Sequence, residues 1–164
     1  MTVNSKQIYP QFEKKVRVRV CGILKENHGI LLINHEGLGP GGHLWSPPGG
    51  GVEFGETLHD SLKREFLEET NLEVAVDDYL FTNEHIDDQF HAIELFFKVS
   101  RISGHLRLGA DPELPATRQL ISEVKFFNIE DLNNLPKNTL HRAFHLSYSR
   151  DKIDEIRGLI TFKD

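Results

Sequence analysis

The sequence predicts a mixed fold in which helices cover a β-sheet, either an α+β or an α/β sandwich. Short segments that alternate apolar and polar residues occur on both sides of one amphipathic helical segment, and a second helical pattern lies near the C-terminus. The chain has 164 residues, which suits one domain with a proper core. No internal repeat, low-complexity tract or linker divides it.

Composition excludes several classes of protein. Hydrophobic residues make up 38% and charged residues 27% of the chain, an ordinary balance for a soluble globular protein. No apolar run approaches the roughly 20 residues of a membrane helix, and the first residues carry no secretory signal. A single cysteine, Cys21, rules out an internal disulfide framework and favours the cytoplasm. The net charge of −6 argues against a partner bound through nucleic-acid phosphates.

A pair of strands is predicted before the helical segment. Residues 16–20 alternate valine with arginine, and Ile23 and Leu24 continue the pattern. Residues 27–29 form a turn, and residues 30–33 supply the returning strand.

Two glycine-containing segments follow. Residues 37–43 are predicted to form a flexible loop, and the sequence SPPGGG occupies residues 46–51. Three consecutive glycines have two readings. They allow the backbone to approach an ion or a phosphate closely, or they form a plain flexible loop.

The helical segment begins at Thr57, which we expect to act as the N-cap with Asp60 three residues later. Apolar residues then recur every fourth position and give the helix a stripe that faces the core: Leu58, Leu62 and Phe66. Asn71 is expected to end the helix, because asparagine tolerates the left-handed conformation found after many helices.

Further strands and a helix are predicted beyond residue 71. Residues 79–84 and 92–99 are expected to pair as a hairpin, and residues 123–129 to form another strand. Residues 130–132 then form a short acidic turn or helix. Apolar residues within 140–148 suit a C-terminal helix.

Three glutamates, Glu65, Glu68 and Glu69, crowd the end of the helical segment. They fall within an arc of roughly 100° that borders the apolar stripe. One neighbouring guanidinium, that of Arg64, cannot neutralise all three, whereas Mg²⁺ or Mn²⁺ could bind their oxygens. The helix alone does not decide between a metal site and a solvated acidic face.

The upstream sequence adds a longer pattern. Gly50, Glu56 and Arg64 open the spacing G-x5-E-x7-R-E-F-L-E-E-T-N-L over residues 50–72, preceded by W-x-P-P-G-G-G-V-E-x-G-E. This pattern resembles the Nudix box, G-x5-E-x7-R-E-U-x-E-E-x-G-U, where U is a bulky apolar residue. Asn71 stands where the box has its second glycine.

The resemblance implies a Nudix-type α/β/α sandwich with a mixed β-sheet. It would form a single domain over residues 1–164, with an N-terminal extension at 1–14 and a C-terminal helical segment at 139–164. The implied activity is Mg²⁺-dependent hydrolysis of a diphosphate linkage in a nucleoside diphosphate joined to another moiety. Nucleotide sugars, ADP-ribose-like compounds and (d)NTPs remain open as substrates. The alternative is a non-catalytic sensor of such metabolites, and a homodimer is a family-typical expectation.

The resemblance also assigns roles to residues. The metal ligands would be Glu65, Glu68, Glu69 and the backbone carbonyl of Gly49, and a glutamate within or outside the box would act as base. Arg64 would orient the acidic residues through Glu56. Glu113 or Glu123 would add a further acidic ligand or base. In the alternative interpretation without a functional role, Glu113 caps a turn and Glu123 is a surface acid at a strand edge. Apart from the resemblance, His141 and His145 lie four residues apart in the predicted C-terminal helix and could bind a metal, but no third ligand is evident and we expect a surface pair.

Overall fold

The computed structural model describes residues 14–27, 29–88, 90–110 and 119–163. The strands are β1 (Val16–Glu26), β2 (Gly29–Glu36), β3 (His43–Ser46), β4 (Gly49–Gly51), β5 (Leu72–Ile86), β6 (His91–Gly104), β7 (Ile121–Phe127) and β8 (Gly158–Lys163). The α-helices are α1 (Leu58–Thr70) and α2 (Ile129–Asn134). Within the described ranges, three 3₁₀ turns cover Lys137–Thr139, Arg142–His145 and Arg150–Glu155.

The strands form a mixed sheet with the order β3-β2-β1-β6-β5-β8, to which β4 adds beside β1 and β7 beside β2. The pairs β1–β6 and β5–β8 are parallel, and the other pairs are antiparallel. Strand β1 pairs with β2 only at Lys25 and Glu26, and its residues Arg19 to Cys21 pair with β4 instead. The sheet therefore opens between β1 and β2, and the short strand β4 lies at the opening.

Two buried clusters lie on the two faces of the sheet. On the helix face, Val20 and Leu24 of β1 pack with Leu62 and Phe66 of α1. A Cβ atom on Gly22 would lie 2.4 Å from the Phe66 ring, so the absence of a side chain lets α1 approach the sheet closely. Complete burial of a side chain such as Phe66 stabilises the fold by roughly 1.5–3 kcal/mol relative to exposure.

The opposite face packs against the C-terminal half of the chain. It gathers Cys21, Ile23, Trp45 and Phe96 with Phe144 and further apolar residues of α2 and the 3₁₀ turns. Layers on both faces of a mixed sheet form the predicted sandwich.

Both ends of α1 follow the sequence prediction. The Thr57 side chain accepts a hydrogen bond from the Asp60 backbone N–H. Asn71 adopts φ 58° and ψ 26°, and its backbone N–H donates to the Leu67 carbonyl. The predicted hairpin also forms, but β5 and β6 extend well beyond residues 79–84 and 92–99.

The C-terminal prediction is wrong. Residues 140–148 do not form an α-helix, and the segment 139–164 contains 3₁₀ turns followed by strand β8. Leu140 is extended and forms a parallel bridge with Trp45, so its apolar side chain is buried by pairing with β3. Within the described part of the chain, no helix combines the length and hydropathy needed to cross a membrane.

Candidate active site

The glutamates of α1 are not a solvated face. Glu65 is 5% and Glu69 is 3% exposed, whereas the Glu68 side chain is 29% exposed. Residues four apart lie on the same side of a helix, and this side borders the buried Leu62 and Phe66. Because burying carboxylates is costly without compensating charge, the positions of Glu65 and Glu69 require specific partners.

Arg64 supplies several of these contacts. Its Nε lies 2.9 Å from Glu56 Oε1 and its Nη2 lies 3.0 Å from Glu56 Oε2. Its Nη1 donates to Glu65 Oε1 at 2.9 Å and to Glu68 Oε2 at 3.1 Å, and Nη2 also donates to the Gly51 carbonyl. Hydrogen bonds from Arg64 and then Ser61 lower the pKa of Glu56 to about 2. One guanidinium thus holds the loop, the strand β4 and the helix together.

The glycines of β4 make room for the carboxylates. A Cβ on Gly50 would lie 2.2 Å from Glu65 Oε1, closer than any side chain could approach. The Gly49 N–H donates to Glu69 Oε2 at 2.9 Å. Gly49 has φ 153°, and a Cβ there would lie 2.0 Å from the Val20 carbonyl oxygen. The triplet is therefore a paired strand that passes close to the acidic residues, and its interpretation as a plain flexible loop is wrong.

Burial changes the acidity of Glu65. It raises the pKa of Glu65 to about 7, although the positive charge and hydrogen bond of Arg64 act in the opposite direction. A carboxylate with such a pKa can accept and release a proton near neutral pH, which general acid–base chemistry requires.

The donor set suits a hard divalent cation. Carboxylate oxygens of Glu65, Glu68 and Glu69, with the Gly49 carbonyl that the family pattern indicates, are the ligand type that Mg²⁺ prefers. Among the described residues, no three histidine, cysteine, aspartate or glutamate side chains already surround one point. Glu65 and Glu68 both accept hydrogen bonds from Arg64 Nη1, and Glu69 accepts one from the Gly49 N–H. Metal binding would therefore require these side chains to converge further on one point.

Of the two later acidic candidates, the structure describes only Glu123, and it does not bring Glu123 to this cluster. Glu113 lies outside the residues that the structure describes. Glu123 is exposed in β7, where its Oε1 lies 2.9 Å from Lys125 Nζ. Strand alternation places Glu123 on the side of Lys125 and Phe127, the face opposite α1.

The sequence prediction did not identify a second group of charged residues, which lies around Glu94. Glu94 of β6 is 8% exposed and contacts Asn83 of β5 and His141, and Arg19 of β1 forms an ion pair with it. The prediction that His141 lies in a surface pair is therefore wrong, because its side chain is only 13% exposed. The available signal was an acid within the apolar run AIELFF, since strands buried on that side rarely carry an unpaired charge.

Fold and site together define an α/β protein with an acidic, arginine-bound helix beside a glycine strand. The family model for the NUDIX domain matches residues 13–148. An ADP-ribose pyrophosphatase of Methanocaldococcus jannaschii is 36% identical over 122 residues, which are 73% of this chain and 64% of that protein. The chain thus spans less than two thirds of that relative. It belongs to the Nudix family.

Solved structures show the same fold. An ADP-ribose pyrophosphatase from Streptococcus suis superposes with a TM-score of 0.58 at 15% identity, covering 87% of this chain and 98% of that one. A MutT NUDIX hydrolase from Burkholderia pseudomallei gives 0.62 at 22% identity, covering 87% and 99%. At these identities the similarity concerns the fold alone.

Proposed function

We propose that the protein is a Mg²⁺-dependent hydrolase of the diphosphate linkage in a nucleoside diphosphate joined to another moiety. The observation that carries this proposal is the burial of two box carboxylates, Glu65 and Glu69, directly against the glycine strand β4. A fold gains nothing from burying such groups unless their charge is used or neutralised. The family membership makes diphosphate hydrolysis the use that fits.

Glu65, Glu68 and Glu69 would hold the metal together with the Gly49 carbonyl. Bound Mg²⁺ would neutralise charge on the phosphate oxygens and lower the pKa of a water. Arg64 would keep the carboxylates oriented from behind through its contact with Glu56. One of these glutamates, or a glutamate outside the box, would receive a proton from the attacking water.

ADP-ribose is the first substrate to test, because the relative from Methanocaldococcus jannaschii and the solved protein from Streptococcus suis are both named ADP-ribose pyrophosphatases. Nucleotide sugars and (d)NTPs form the comparison set. We further propose a cytoplasmic location, with the lone Cys21 buried in the core, and no nucleic-acid or membrane partner. Gel filtration with light scattering would test the expected homodimer.

The test is a screen of these compounds with and without Mg²⁺, with phosphorylated products separated by chromatography. Cleavage of the diphosphate bridge of ADP-ribose yields AMP and ribose 5-phosphate, and the proposal expects both products only when metal is added. A protein that binds these compounds tightly but releases no product would instead be a sensor, and the enzyme assignment would fail.

A further inference from the structure

We propose that Arg19, held in place by Glu94, binds a phosphate oxygen of the substrate's diphosphate group. The inference rests on the proposed hydrolase function. It assigns a substrate-binding role to a residue outside the Nudix box.

Arg19 lies in the sheet between the Glu94 group and the strand β4 that packs against the α1 glutamates. In β1, Arg19 lies opposite Glu94 of β6 on one side and opposite Gly51 of β4 on the other. The Gly51 carbonyl accepts a hydrogen bond from Arg64 Nη2, so the residue opposite Arg19 in β4 contacts the guanidinium that holds the acidic cluster. Arg19 is close enough to Glu65 for its positive charge to lower the pKa of that carboxyl. The Arg19 side chain is 28% exposed, so a solute can reach it.

Glu94 is built to hold a cation. Its Oε2 accepts a hydrogen bond from Asn83 Nδ2 at 2.7 Å and lies 3.1 Å from His141 Nε2. His141 Nδ1 accepts from the Ala143 N–H, which leaves the ring proton on Nε2 to face Glu94. Arg19 Nε lies 3.6 Å from the other oxygen, Oε1.

These neighbours keep Glu94 charged. Burial acts to raise its pKa, but the contact with His141, the charge of Arg19 and the hydrogen bond from Asn83 outweigh burial and lower the pKa to about 2. Asn83 is fully buried, and among the described residues its Oδ1 has no hydrogen-bond partner. A flip of the amide would place that oxygen against the carboxylate, so the Asn83 side chain is oriented for Glu94 at the expense of its own acceptor.

The negative charge around Glu65 explains why a second arginine, beside Arg64, would help to bind the substrate. Glu56, Glu65 and Glu68 all contact Arg64, so the guanidinium of Arg64 is already shared among carboxylates. A bound diphosphate would add further negative charge beside these carboxylates. Arginine binds phosphate oxygens with strong, charge-assisted hydrogen bonds, and the ion pair with Glu94 keeps the guanidinium of Arg19 near this edge of β1.

The experiment compares Arg19→Ala, Arg19→Lys and Glu94→Gln with the wild type, using Arg101→Ala as the matched control. Arg101 is another sheet arginine in an ion pair, at 2.6 Å from Glu26. We expect Arg19→Ala to raise KM for ADP-ribose by about 10- to 100-fold with a smaller change in kcat, and Arg19→Lys to raise it less. Added guanidinium chloride, at a concentration that leaves the wild type folded, should lower the KM of Arg19→Ala. It should not lower that of Glu94→Gln, which still contains Arg19.

A calorimetric titration with ADP and with adenosine separates this inference from the hydrolase proposal, because it needs no turnover. Weaker binding of ADP but unchanged binding of adenosine in Arg19→Ala supports the inference even if no substrate is cleaved. An unchanged affinity for ADP in Arg19→Ala and Arg19→Lys, both folded, would overturn it. The inference would also be overturned if the KM of Arg19→Ala equalled the KM of Arg101→Ala.

Discussion

Arg64 binds both oxygens of the Glu56 carboxylate, with Nε 2.9 Å from Oε1 and Nη2 3.0 Å from Oε2. Two parallel hydrogen bonds of this kind fix the plane of a guanidinium as well as its position. The remaining donors of Arg64 therefore point in defined directions, towards Glu65, Glu68 and the Gly51 carbonyl. The pair joins the loop before α1 to the helix that carries the glutamates.

Replacement of Arg64 by lysine should separate geometry from charge. Lysine keeps the positive charge but cannot contact both Glu56 oxygens and two further carboxylates at once. We expect kcat to fall by about 10- to 100-fold, the range found when a residue that orients metal ligands is changed. Steady-state kinetics at saturating Mg²⁺ checks this, and circular dichroism confirms the fold. Wild-type kcat in Arg64→Lys would show that the charge alone suffices.

Gly50→Ala should affect the site more than the fold. The new methyl group would overlap Glu65 Oε1, so the carboxylate must leave its place against β4. We expect a large loss of Mg²⁺-dependent turnover. Gly42→Asn is a suitable control, since a Cβ at Gly42 meets nothing within 4 Å and asparagine tolerates its positive φ. Equal activity of both variants would mean that the position of Glu65 is unimportant.

His35 should make stability depend on pH. Burial and then the positive charge of Arg19 lower the pKa of His35 to about 4, against about 6.5 in an unfolded chain. The unfolded state therefore binds more protons between these values, so the stabilisation is complete above pH 6.5 and is lost as the pH falls towards 4. Between pH 7.5 and pH 5 this effect amounts to about 2 kcal/mol.

Urea unfolding at both pH values, in the wild type and in His35→Gln, measures the contribution. The loss of unfolding free energy at pH 5 should be smaller in His35→Gln by about that amount. Identical pH dependence in the two proteins would show that His35 takes up its proton equally in the folded and unfolded states.

Asn71 should tolerate glycine but not valine. Its φ of 58° suits glycine and asparagine, and a β-branched residue is strained there. The Asn71 Nδ2 also donates to the His105 carbonyl, a contact that glycine would lose. We expect Asn71→Gly to lie within about 1 kcal/mol of the wild type and Asn71→Val to be less stable than Asn71→Gly by about 1–2 kcal/mol. Urea unfolding of the three proteins gives both values, and equal stability of the two variants would contradict the conformational explanation.

Local signals account for the parts of the fold that the sequence predicted. The caps at Thr57 and Asn71, the alternation of β1 and the apolar stripe of α1 depend on residues close together in the chain. The resemblance to the Nudix box similarly implied the contact between Arg64 and Glu56, which the structure shows.

Pairing between distant segments explains the failures. The apolar residues of 140–148 have helical spacing, but the bridge of Leu140 to Trp45 keeps the start of this segment extended. Strand β8 is added by parallel pairing to β5, more than seventy residues earlier. The Glu94 group draws on three strands and on His141, which precedes a 3₁₀ turn, so the apolar run around Glu94 could signal a buried charge but no local spacing could identify its partners.

The most direct test of the central claim is the Mg²⁺-dependent hydrolysis of ADP-ribose by the wild type, Glu68→Gln and Glu69→Gln. Glu73→Gln serves as the control, since Glu73 is an exposed acid of β5 that contacts Ser103. If the α1 carboxylates hold the metal, both box variants lose about 100-fold or more in kcat while circular dichroism and Glu73→Gln remain like the wild type. Near wild-type turnover in folded Glu68→Gln and Glu69→Gln would contradict the assignment.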